Sequence, residues 1–303
     1  ILHEGRMYIP LRFVSEGLGE EVSWDPDTAT AYINRTVPHT EVYQPRTLES
    51  SASIEEAAAN RSISAIRAAW QKYQPTYNGE PFVDSPVLTA PYQTGQLNDA
   101  FIQDGVRMAN FVRYLAGLPD NLVADEELNR KAQYGAVLLS AHGALTHTPD
   151  KPADMAEAFY EKGYDSTTSS NISYYSYSTT GDLAVLNRNL QSKQVLTPAN
   201  SVRLYMSDED PMNLPAVGHR RWILNPRLQR IGFGYSEQYS KDGAWNTIKQ
   251  FSTMQILPES SNIQRSSSKD RVMWPNEGNF PVQFLGGRDP WSLSLNPDHY
   301  QKP

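Results

Sequence analysis

Six histidines are the side chains through which this chain could do chemistry near neutral pH. Imidazole gains and loses a proton there, and its ring nitrogens bind divalent metals. His3, His39 and His299 fall in terminal or linker sequence and are expected to be solvated. His142 closes a helical pattern, where a cation offsets the helix C-terminal dipole. His147 and His219 differ, because each sits in a loop entered from an apolar element and flanked by Pro or Gly. Loops on a rigid scaffold are where function concentrates. The stretch from Ala216 to Pro226 is the densest of these. Gly218, just before His219, admits close backbone approach. Asn225-Pro226 ends the stretch as a turn. Ile231 to Tyr235 then alternates apolar residues with glycine, as a strand packed tightly against a neighbour does.

Three chemistries compete for His147 and His219. With nearby carboxylates they could hold a divalent metal such as zinc. They could also exchange protons as a general acid and base. The structural alternative is that both donate hydrogen bonds to loop carbonyls. They are too far apart in sequence to form a local zinc signature. Arg220 and Arg221 could grip an anion; alternatively one braces the loop and the other is solvated. Trp222, Trp274 and Trp291 read as core or sheet-edge residues, with a sugar-stacking platform as the functional alternative.

Composition narrows the field. Hydrophobic residues make up 39% and charged residues 20%, which describes a folded chain. A net charge of −7 argues against nucleic acid as a partner, because phosphate binding needs a basic face. No apolar run reaches the roughly 18 residues of a transmembrane helix. Cysteine is absent, which removes disulfides, thiol catalysis and thiolate metal sites. The 17 tyrosines and the wealth of Asn, Ser and Thr suit an extracellular surface. The chain starts at Ile1 without an initiator Met, which reads as a fragment or a mature form, and the absence of a signal peptide from it carries no information.

These residues must be positioned by helices first and strands later. Residues 1 to 36 read as a small ββαβ-type unit, with strands at Met7–Leu11, Glu21–Trp24 and Thr30–Ile33 and a helix at Arg12–Leu18. Residues 37–94 are a linker and connector, with a helix over Ile54–Tyr73 and an extended, Pro-rich segment after it. The spacing from Leu97 to Leu115 predicts a second helix. Asp125 caps a third, which runs to His142-Gly143. Pro152–Tyr160 reads as another, residues 163–180 as a polar loop, and Leu183–Leu190 as a short helix. Thr197 caps a helix through Met206. Strands follow at Arg230–Tyr235, Thr247–Phe251 and Met254–Leu257. Glu259–Ser268 reads as a mobile Ser-rich loop. Residues 274–281 and 290–295 read as edges and turns. The expected class is α+β with an antiparallel sheet.

Two resemblances add to this. Gly5-Arg-Met-Tyr-Ile-Pro-Leu-Arg12, then Glu16, Leu18-Gly19 and Val22-Ser-Trp-Asp-Pro26, resemble the end of a copper amine oxidase N-terminal-like domain. That module is non-catalytic and copper-free, and recurs in exported proteins of Gram-positive bacteria. Asn110-Phe-Val-Arg113, Gly117-Leu118, Leu128, Ala132-Gln133, Thr146-His-Thr-Pro149, Ser170-Asn-Ile172, Gly218-His-Arg220 and Ile223-Leu-Asn-Pro226 resemble, in order, the motifs of the CAP superfamily, the SCP-like domain of cysteine-rich secretory and pathogenesis-related proteins. The resemblance implies an α-β-α sandwich over residues 95–240, with residues 241–303 as a β-rich extension. It also implies a cleft lined by two histidines, here His147 and His219, and two acids. Ser170 stands where the family usually places one glutamate, followed by Asn171; Asp154, Glu157 or Glu161 are the candidates for the other acid. The expected cleft residues are His147, His219, Ser170, Asn171 and Arg220, with His147 and His219 as the candidate metal ligands. The expected role is a secreted or cell-envelope binding module for a lipid, glycan or protein partner. The alternatives are a hydrolase of envelope peptide or glycan and a structural envelope or spore component. Against a Ser170 hydrolase stand the missing nucleophile elbow and the want of an orienting Asp.

Overall fold

The computed structural model describes residues 61–181, 196–210, 213–256 and 269–296, and four short strands near the N-terminus. Those strands form two antiparallel pairs, β1 (Leu2–His3) with β2 (Arg6–Met7) and β3 (Glu21–Asp25) with β4 (Thr30–Asn34). The second pair falls where the alternation placed it. Tyr8–Leu11, the Arg12–Leu18 helix, residues 36–60, the Leu183–Leu190 helix and residues 259–268 lie outside the described residues.

A four-stranded sheet is the centre of the rest. Its order is β7 (Val123–Ala124), β9 (Arg230–Asp242), β10 (Trp245–Gln255), β8 (Ser170–Thr179). β8, β9 and β10 are antiparallel, and the short edge strand β7 runs parallel to β9. Helix α1 (Ile63–Tyr73) packs on α2 (Asp99–Leu115), and α2 packs on the later helix α5 (Pro198–Ser207) over one sheet face. Helices α3 (Glu126–His142) and α4 (Glu157–Thr168) cover the other. The architecture is the expected α+β sandwich of three layers.

Alternation along β10 shows how the sheet serves both layers. Met254 joins Phe111, Val112, Val202, Tyr205 and Phe233 in the main core. Its neighbour Thr253 points the other way and donates to the Ala132 carbonyl of α3 at 2.7 Å. Burying each large side chain contributes roughly 1.5–3 kcal/mol, more than the intrinsic helix preference of any residue involved. On the α3 side the approach is closer. A β-carbon at Gly232 or Gly234 would lie within 2.6 Å of the α3 backbone, so these positions admit only hydrogen.

Chain punctuation was read well where caps were involved. The expected caps Asp125 and Thr197 each accept an N-terminal helix N–H, and Gly143 ends α3 at φ 81; Asn98, which the sequence reading did not single out, caps α2 in the same way. On α1, Ile66 and Tyr73 are buried, whereas Ile63 is exposed.

Several expected boundaries are corrected. The helix expected over Pro152–Tyr160 begins at Glu157 and continues to Thr168. Gly163, which looked like a breaker, is a packing position: its β-carbon would meet the Leu138 side chain at 2.9 Å. The expected polar loop therefore does not exist. Its second half is β8, whose alternating tyrosines and serines pair with β10 along ten residues. The two strands expected across 247–257 are one, β10. The boundary drawn at residue 240 falls inside β9, so the sheet runs through Gln255. Beyond it, β11 (Arg271–Trp274) and β12 (Ser292–Leu295) form a hairpin-like pair where edges and turns were expected. Residues 75–95 are mostly extended, with β5 (Phe82–Asp84) pairing with β6 (Gln96–Leu97).

The close contact of β9 with α3 gives a direct test. Gly234→Ala places its β-carbon 2.3 Å from the Ala132 backbone. It is expected to lower unfolding stability by roughly 3 kcal/mol in urea titrations. An unchanged midpoint would mean that α3 can lift from the sheet freely.

Candidate functional site

The opening stretch becomes a short helix, α6 (Gly218–Ile223), clamped at both ends. At its exit, Arg113 of α2 is fully buried and donates to the carbonyls of Ile223 (2.9 Å), Asn225 (2.8 Å) and Pro119 (2.8 Å). Burial lowers this guanidinium to about 10, partly offset by Asp120. At its entry, Gly218 lets the Asn213 side chain lie close, since a β-carbon there would meet Asn213 Oδ1 at 2.5 Å and push it aside.

Between these clamps sits His219. Its Nδ1 lies 2.7 Å from Asp208 Oδ1. Asp208 ends α5 in the left-handed region (φ 47), which short polar residues tolerate better than most. Its side chain is 0% exposed. The other carboxylate oxygen accepts the Arg220 backbone N–H at 2.9 Å. The ionised carboxylate can only accept, so Nδ1 of the neutral His219 ring carries the proton and Nε2 keeps its lone pair. Tyr205 tilts against the imidazole at 5.1 Å and donates to the Asn171 carbonyl at 3.1 Å. Burial raises the Tyr205 phenol, so it stays a neutral donor. Asn171 in turn donates its Nδ2 to the His219 carbonyl at 3.1 Å.

His147 is set by the same logic from the other side. Its Nδ1 lies 2.7 Å from the Thr167 carbonyl, so it too is the protonated nitrogen. Thr167 Oγ1 returns a bond to the His147 carbonyl at 3.0 Å, pinning the loop to the end of α4. The two histidines, Ser170 and Asn171 line one open depression of about 210 Å³, completed by Thr168, Asn213, Arg221 and Trp222. Sequence reasoning thus named four residues that the fold brings together.

Arg220 is the correction. It was expected in the cleft, but it is 0% exposed and faces away from it. Its guanidinium donates to the carbonyls of Met206 (2.7 Å), Ser207 (3.0 Å) and Pro290, and to Ser292 Oγ (3.2 Å). Burial pulls it down to about 10, and Asp208 and Asp289 act in the opposite direction. It ties the β11–β12 pair to the end of α5. Arg221, its exposed neighbour, is the arginine that lines the depression.

The acid near His219 is Asp208, which the sequence reading missed. Asp154 instead accepts from Tyr92, Glu157 pairs with Lys151, and Glu161 is exposed away from the depression. A signal was available: an acid at the C-terminus of the Val202–Met206 helix opposes the helix dipole and so calls for strong donors nearby.

Ser170 Oγ accepts from Gln255 Nε2 at 2.8 Å and is hydrogen-bonded to neither imidazole. Ser170 therefore forms no nucleophile–base pair with either histidine. For a metal, the depression offers the two imidazoles alone among the described residues. Zinc takes at least three protein ligands, and among the described residues no group of three or more His, Cys, Asp or Glu side chains is placed to hold one. Asp208 lies behind His219, committed to N–H donors. Of the tryptophans, Trp274 is buried, Trp291 is 77% exposed outside the depression, and Trp222 lies beneath the Arg221 guanidinium at 5.3 Å.

A three-layer sandwich with a histidine on each side of one depression defines a class of domain rather than a single activity. Residues 106–254 match the model of the Cysteine-rich secretory protein family, CAP, and residues 1–35 match that of the Copper amine oxidase N-terminal domain. The chain therefore carries a CAP domain, preceded by a copper amine oxidase N-terminal segment. No curated protein matches the chain. No helix among the described residues is long and apolar enough to cross a membrane.

Two substitutions probe the site's frame. Asp208→Asn is expected to fold, with stability lower by about 1–3 kcal/mol. Imidazole ¹⁵N spectra should then show neutral His219 shifting from the Nδ1–H form towards Nε2–H; an unaltered Nδ1–H form would remove Asp208 from this role. Arg220→Lys keeps the charge but loses the fork. Amide exchange in β11 and β12 should rise about tenfold, while β9 and β10 stay protected. Equal exchange in both pairs would mean that the arginine does not hold the extension.

Proposed function

We propose that this is a secreted or cell-envelope protein whose CAP domain acts as a binding module, with the depression at His147 and His219 as its ligand cleft. The observation that carries this reading is the orientation of both rings. Each imidazole spends Nδ1 on a fixed acceptor, leaving Nε2 with no partner among the described residues. Two preset acceptors with Asn213, Ser170 and Arg221 nearby suit recognition of a polar ligand more than turnover, since the serine is held by Gln255. An envelope glycan, lipid headgroup or protein segment are the candidate partners. The copper amine oxidase N-terminal segment, of a kind that recurs in exported Gram-positive proteins, supports the same address.

A hydrolase is the second reading, favoured by one observation. The Asp208–His219 pair is the base-and-orienter half of a hydrolytic triad, and it could activate a water. Fractionated envelope glycan, lipid and peptide, titrated into ¹⁵N-labelled protein, separate the two. The binding reading expects shifts confined to the cleft residues, with the ligand recovered intact. Cleavage that disappears in His219→Ala would replace it with the hydrolase.

A further inference from the structure

The cleft carries a charge character opposite to that of the chain. The protein has a net charge of −7, yet among the described residues no Asp or Glu lines this depression. The two acids bonded to lining residues are both occupied. Asp208 is fully buried behind His219, and Asp210 accepts from Asn213 Nδ2 at 2.6 Å. Among the described lining residues the one full charge is Arg221. Its guanidinium stacks over Trp222 and forms no hydrogen bond or ion pair with a described residue. A planar fork held over a ring is well suited to a carboxylate or phosphate. Ser170 accepts from Gln255, so its own proton is left to donate. The two Nε2 atoms are acceptors and would repel a bare anion; they call for hydroxyl or amide N–H groups.

Resting on the binding-module reading, we infer that the cleft selects an acidic carbohydrate: an oxyanion at Arg221 and Ser170, with neighbouring hydroxyls donating to His147 Nε2 and His219 Nε2. A neutral sugar satisfies the imidazoles and leaves the arginine idle. An inorganic anion does the reverse. Only a ligand carrying both uses the whole lining.

Glucuronate, glucose 6-phosphate, glucose and inorganic phosphate are the probes, titrated at low ionic strength into the full chain and followed by the His147 and His219 imidazole resonances. At least one acidic sugar is expected to bind in the millimolar range, about tenfold more tightly than glucose and than phosphate. The stronger of the two identifies the oxyanion as carboxylate or phosphate. Arg221→Gln should erase the preference over glucose. Thr168→Glu, at an exposed lining position, should do so by repulsion; both sites are exposed, so the fold is retained. Glucose binding as tightly as either acidic sugar overturns the inference and leaves the binding module standing. Silence towards every probe, alongside a non-sugar ligand from the envelope fractions, also overturns it alone. If the envelope fractions are silent as well, the binding module falls with it.

Discussion

One buried carboxylate fixes the geometry of this molecule's histidine site. Asp208 receives the imidazole of His219 through one oxygen and the backbone of Arg220 through the other. An unpaired ionised group at that depth would cost several kcal/mol, so the chain must supply donors there. It does so by turning sharply at the end of α5 and again at the start of α6. The two turns bring consecutive residues to opposite tasks: His219 towards the open surface, Arg220 into the interior.

The layers around this point follow from simpler rules. Apolar stripes on α2 and α5 fill one side of the sheet. Glycines in β9 let α3 come within backbone contact on the other. The helices therefore locate the loop carrying His147 and the helix carrying His219 from two different layers. The depression lies where the layers end, so neither histidine depends on the other for its orientation. Each is held by its own acceptor, a main-chain carbonyl in one case and a carboxylate in the other.

Much of this was legible in the sequence where local chemistry dominates. Caps at Asp125 and Thr197, the stop at Gly143 and the glycine-alternating strand at Ile231 all have reasons confined to a few neighbouring residues. His147, His219, Ser170 and Asn171 were legible because their motifs occur in a known order. What escaped depended on distant partners. Gly163 reads as a breaker until Leu138 is set against it. The serines and tyrosines of β8 read as a loop until β10 supplies their pairing. Arg220 and Arg221 are indistinguishable side by side, and only the burial of the first by residues 290–292 tells brace from lining. Asp208 precedes its histidine by a stretch whose length says nothing of their contact.

The link from Arg220 to Pro290 and Ser292 has a consequence for what counts as the autonomous unit. The family match ends at residue 254, and a domain excised there would look complete by its sheet and helices. It would nevertheless leave one arm of a deeply buried guanidinium facing lost acceptors, one residue from His219. The histidine depression and the C-terminal pair of strands are thus a single structural piece. A transplant of this CAP domain onto another protein has to bring residues 269–296 with it to carry the histidine in its native pose.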